Sequence, residues 1–129
     1  MDQNKLELLI KKIVSSNFIS IDYDDVNEVR KNSARLEAFD LVERNADLKD
    51  KAQAAIERIL RENEGYSISY SLVSLDMRED NIISTECMCD LFEMDQLSSC
   101  HRYKRGLKID NDVEPGCIHM VFLFGLNKK

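Results

Sequence analysis

The stretch YKRGLKIDNDVEPGCIHMVFLFG, residues 103–125, holds two strands and the turn between them. Tyr103, Arg105, Leu107 and Ile109 sit two residues apart, the period of a half-buried strand. Residues 110–116 are polar and end in Pro115-Gly116, a turn signal. From Cys117 to Leu126 nearly every residue is apolar, so this strand buries both faces and belongs in the middle of a sheet. The two strands are expected to form a hairpin.

Working outward, Ile83, Cys87, Leu91 and Met94 have helical spacing. Ile68, Tyr70 and Leu72 alternate with Ser67, Ser69 and Ser71, which predicts a half-buried strand. Leu48, Ala52, Ala55, Ile56, Ile59 and Leu60 form a helical stripe, with Asn45 or Asp47 as the expected cap and Gly65 just past its end. Residues 34–42 fit neither period, and propensity alone leans towards helix. Nearer the start, Leu6, Leu9, Ile10, Ile13 and Val14 line one helix face that ends close to Lys11 and Lys12. Residues 18–21 form a short apolar extended run, and Val26 and Val29 mark a short helix after it. The pattern predicts an α+β fold: a two-layer sandwich, one sheet with helices on one face.

The bulk composition narrows the function. The 129 residues suit one domain, and 43% apolar with 33% charged residues describe a globular chain. With 24 acids against 18 bases the formal charge is −6, which disfavours nucleic acid and anionic membrane as partners, since both need a basic footprint. The first residues are polar and acidic, unlike an export signal, and no apolar run approaches a membrane span. A cytoplasmic protein with reduced cysteines is expected.

The candidate site is the acidic loop Ile19-Ser20-Ile21-Asp22-Tyr23-Asp24-Asp25-Val26. Three carboxylates this close repel one another, and water or the positive end of the following helix must compensate. One reading is a solvated helix cap. The loop also fits, as a string, the first motif of aspartate-nucleophile phosphatases of the haloacid dehalogenase type. Asp22 would then be the nucleophile, Asp24 the acid/base and Mg²⁺ the charge clamp. That fold requires a doubly wound parallel sheet, which a closing hairpin does not supply. A third reading is a loop that meets a partner's cation.

Other constellations are weaker. Cys87 and Cys89 stand two apart on a predicted helix and face away from each other. Cys100-His101 and Cys117-x-His119 lack the usual zinc spacing, and no metal site is expected. No glycine-rich phosphate cradle occurs, so neither a cofactor nor GTP binding by this chain alone is expected.

Residues 6–29, LELLIKKIVSSNFISIDYDDVNEV, resemble the end of the central helix, the synergy loop and the next helix of FtsZ, the tubulin-like bacterial cell-division GTPase. The family pattern there is close to G-x-I-N-x-D-F-A-D-V. Residues 47–59, DLKDKAQAAIERI, resemble its R-A-x-x-A-A-x-x-A-I helix. Residues 103–125 resemble its closing I-I-x-G-A-x-x-D…V-x-V-T-V-I-A-T-G segment, with Gly106, Asp110 and Gly125 on family positions. The resemblance covers the C-terminal half of FtsZ only; the GTP-binding half and its glycine-rich loop are missing. It implies an N-terminal helix over residues 1–17 and an α+β domain over residues 18–129, with a four-stranded sheet, helices on one face, and a strand at residues 34–42. In FtsZ filaments the synergy loop enters the nucleotide site of the next subunit, where two acidic residues help activate water. Asp22 and Asp25 match those two. Ser20 replaces the family's Asn and Asp24 its Ala, and Asp76-Met77-Arg78-Glu79-Asp80 replaces a G-G pair. The resemblance implies a non-enzymatic protein-interaction domain. It would dock Ser20, Asp22, Tyr23, Asp24 and Asp25 on an FtsZ-like GTPase or filament end, with Asp22 and Asp25 catalytic in trans at most. An adaptor unrelated to filaments is the competing reading.

Overall fold

A computed structural model describes residues 3–14, 21–92, 100 and 102–129. The elements run α1 (Gln3–Ile13), α2 (Tyr23–Lys31), β1 (Arg35–Arg44), α3 (Asn45–Glu62), β2 (Tyr66–Met77), α4 (Thr85–Phe92), β3 (Arg102–Ile109) and β4 (Cys117–Lys128). The apolar run at residues 18–21 falls largely outside the described residues; Ile21 is described, and is fully buried.

The four strands form one sheet in the order β1-β4-β2-β3. β4 pairs antiparallel with β1 and β2, so the strand apolar on both faces is central. β3 pairs with β2, in parallel. The expected β3–β4 hairpin is therefore replaced by a crossover, with β2 between the two strands. The physical reason lies in the connection. Residues 110–116 are long enough to step across the end of β2, where neighbouring strands lie about 4.8 Å apart. The step is fastened there: the Asp110 amide donates to the Met77 carbonyl, and Arg78 donates to the carbonyls of Asn111 and Val113.

Residues 34–42 contribute to β1, as the resemblance implies. Pairing with β4 along ten registered positions, from Arg35↔Leu126 to Arg44↔Cys117, overrides the local helical preference.

Helices cover both faces of the sheet rather than one. Alternation along β4 explains this. Ile118, Met120, Phe122, Phe124 and Leu126 point to one side, where Leu48, Ala52, Ile56 and Ile59 of α3 and Leu91 and Phe92 of α4 meet them. Val121 and Leu123 point to the other, where Leu6, Leu9, Ile10 and Ile13 of α1 and Val26 and Val29 of α2 cover them. A strand apolar on both faces needs a helical layer on each. Both α1 and α2 pack on this second face, so it is covered by the domain's own helix as well as by the N-terminal one.

Phe39 and Phe122 stack at 4.4 Å between ring centroids, and Phe124 meets both at 5.8 Å. β2 carries an irregularity at Ser69: Ile68 pairs with Leu126 while Tyr70 pairs with Gly125. One extra residue on a strand reverses the face of everything after it. Ile68 therefore joins the α3 side, and Tyr70 and Leu72 join the α1 side. A strict period of two would have put all three together.

α3 begins directly after β1. Arg44 holds the N-cap position without a side-chain bond, so neither Asn45 nor Asp47 is the cap. The Asn45 amide instead pairs reciprocally with that of Asn81, at 2.9 and 3.0 Å. Past the end of α3, Gly65 adopts φ +86°, a left-handed turn that favours glycine.

Candidate functional site

The acidic loop leads into α2. Ile21, Val26 and Val29 are buried and anchor this turn to the sheet. Asp22 is the N-cap, with extended backbone (φ −106°, ψ 177°). Its Oδ1 accepts from the Asp25 amide at 3.0 Å, and its own amide donates to Asp25 Oδ2 at 2.9 Å. This reciprocal capping box satisfies two of the amides that every helix start leaves open.

Asp25 has a second partner. Lys104 Nζ on β3 donates to its Oδ2 at 2.7 Å. One turn further along α2, Glu28 is paired with Arg102, two residues before Lys104 on β3. The helix is thus tied to the sheet edge by two ion pairs whose spacing matches one helical turn against one strand repeat. Burial alone would raise the Asp25 pKa. The hydrogen bonds from Lys104 and the Asp22 amide, with the Lys104 charge, outweigh it and hold the carboxyl below its ordinary value. The same bond holds Lys104 above its own.

The three carboxylates therefore do not converge. Asp22 caps, Asp25 caps and pairs with Lys104, and Asp24 is exposed. Tyr23 is 54% exposed at the tip of the same turn. Among the described residues of the loop, Asp22, Tyr23 and Asp24 face solvent, while Asp25 stands half-buried. Ser20 lies outside the described residues. Beside the loop, a cleft of about 240 Å³ opens between α2 and β3, lined by Asp25, Glu28, Tyr70, Arg102, Tyr103 and Lys104.

The phosphatase reading does not fit this arrangement. Among the described strands only β2 and β3 pair in parallel, and Asp22 caps a helix instead of standing at the end of a parallel strand.

Cys87 and Cys89 are exposed on α4. Cys100 packs partly into the core, and burial pushes its thiol up to about 11. His101 lies outside the described residues. Cys117 is buried, and His119 is engaged with carboxylates rather than with a cysteine.

That histidine belongs to a charged cluster that spacing did not reveal. His119 Nε2 lies 2.8 Å from Asp40 Oδ2 on β1, and its Nδ1 lies 3.5 Å from Asp76 Oδ2 on β2. Asp76 is 1% exposed; Ser74 donates to its Oδ1 at 3.0 Å, and Lys108 Nζ stands 4.0 Å from its Oδ2. A signal was present for one of them: His119 interrupts an otherwise apolar strand, and a titratable group in such a place needs a partner.

No protein-family model matches the sequence, and no curated protein matches it either. Solved structures do. A tryptophan-to-tyrosine mutant of FtsZ from M. jannaschii is similar with a TM-score of 0.59 and 16% identity, covering 98% of this chain and 42% of that one. An empty FtsZ dimer from M. jannaschii is similar with a TM-score of 0.58 and 16% identity, covering 98% of this chain and 40% of that one. The chain thus has the fold of part of FtsZ, and spans about two-fifths of the length of the chains it matches.

Proposed function

We propose that this domain is a non-enzymatic interaction module that presents its acidic loop to a tubulin-like GTPase of the FtsZ kind. One observation carries the reading. On a fold shared with FtsZ, the described residues matching the synergy loop open a capped helix, with Asp22, Tyr23 and Asp24 open to solvent and Asp25 half-buried. An exposed aromatic among carboxylates suits a partner surface carrying a cation beside an apolar socket.

A filament contact of this kind is heterologous, one face meeting a different face. The sequence has a counterpart of the loop face and none of the glycine-rich nucleotide face. Asp22 is the better placed of the two candidates for assisting hydrolysis in trans, since Asp25 is engaged by Lys104.

The test is sedimentation and GTPase measurement of purified FtsZ with GTP, with and without excess domain. Shorter or less abundant polymer, or a changed GTPase rate, is the expected result. Unchanged polymer and unchanged rate overturn the reading. An Asp22→Asn/Asp24→Asn variant then locates the contact, because asparagine caps a helix as well as aspartate does. If that variant acts like the wild type, the domain is an adaptor working through another face.

A further inference from the structure

We propose that His119 is a protonation-controlled clamp, which in its charged form ties β1 and β2 to the central strand β4 and releases that hold when it becomes neutral.

The geometry suits the charged form. The ring is 5% exposed, and each of its two nitrogens faces a carboxylate from a different neighbouring strand. A neutral imidazole has one N–H and would turn a lone pair towards the other carboxylate; the imidazolium turns an N–H to each, bonding Asp40 and facing Asp76 by charge. Asp76 makes the demand sharper. Its Oδ2 is buried without a hydrogen-bond partner, and the nearest cations are the His119 ring and Lys108. A buried carboxylate oxygen so placed is costly unless a positive charge faces it.

Every element around the ring contributes charge. β1 supplies Asp40, β2 Asp76 and β3 Lys108; α1 brings Lys12, and the turn after β3 brings Asp110, Asp112 and Glu114. Lys108 is shared, lying 3.8 Å from Asp110 and 4.0 Å from Asp76. Asp76 pushes the His119 pKa up most. Burial opposes it, Asp40 adds to the rise and Lys12 subtracts, and the net direction is upward. A cleft of about 340 Å³, lined by Lys12, Asp40, Asp110, Asp112, Glu114 and His119, gives the proton a route to water.

A group whose pKa is raised on folding contributes stability that is complete below its unfolded value, about 6.5 for histidine, and that disappears as pH rises through the folded value. The clamp therefore loosens as pH rises above the ordinary histidine value and through the raised, folded one.

The experiment is a pH titration by NMR and urea denaturation. The chain has two histidines, so His101→Gln leaves the His119 signal alone. It is expected to titrate above the ordinary histidine value. Asp40→Asn should lower that midpoint, as loss of a neighbouring opposite charge does. The urea midpoint of the wild type should fall as pH rises through the titration, and that of His119→Gln should stay flat. Titration at or below the ordinary value, an unmoved midpoint in Asp40→Asn, or the same stability profile in wild type and His119→Gln would each overturn the clamp. If His119→Gln does not fold, the two titrations decide the matter.

Discussion

Replacing Asp22 by alanine removes the oxygen that receives the Asp25 amide and leaves the helix start with one more open donor. The reciprocal bond, from the Asp22 amide to Asp25 Oδ2, survives because it uses the backbone of residue 22. Burial of Val26 and Val29 survives as well. The loss is therefore that of one N-cap side chain, about 1 kcal/mol. Asp22→Asn keeps the acceptor and should cost close to nothing. Asp25→Ala removes the other half of the box together with the Lys104 pair. That lysine is 42% exposed, so solvent screening limits the pair to a few tenths of a kcal/mol beyond the cap. The double alanine variant should lose less than the sum, since the two bonds form one unit. Urea denaturation followed by circular dichroism is the assay. With a slope of about 2 kcal/mol per molar, Asp22→Ala shifts the midpoint down by about 0.5 M. If Asp22→Asn falls as far as Asp22→Ala, charge rather than capping holds the turn, and the reasoning fails.

Acid should loosen the same turn. Asp25 has a lowered pKa, so its contribution is present above the unfolded value of about 3.9 and is lost as pH falls through the folded one; Asp25→Asn should show a shallower acid loss in the urea midpoint than the wild type. Gly125→Ala should destabilise by about 1–3 kcal/mol in the same assay. A Cβ there would stand 1.9 Å from Ser33 Oγ and 2.9 Å from Val29 Cγ1, forcing the end of α2 away from β4. Phe122→Ala empties the stack with Phe39 at the centre of the α3 side and should cost about 3–5 kcal/mol, enough to abolish a cooperative thermal transition in a marginal domain.

Much of the fold was legible residue by residue. The stripes of α1 and α3 were read from three- and four-residue spacing, and the same residues are buried except Val14, Ala55 and Leu60, which are partly so. β1 was not legible from its own residues, because its exposed and buried positions do not alternate cleanly. It came from likeness to the FtsZ pattern, and the pairing with β4 is what enforces it. The acidic loop was legible as a helix cap, but not the division of labour within it. Lys104, which draws Asp25 away from the exposed surface, lies 79 residues further along the chain.

The sequence by itself determined which segments bury a face and that residues 117–126 form a central strand, because burial repeats with the local period of helix and strand. Only the tertiary structure decided the order β1-β4-β2-β3, the helical layer on each side, and the reversal of face at Ser69. It alone brought His119 between Asp40 and Asp76. The reason is the same in each case. These features depend on which strands become neighbours, and strand neighbours are chosen by contacts between distant parts of the chain that leave no periodic trace along it.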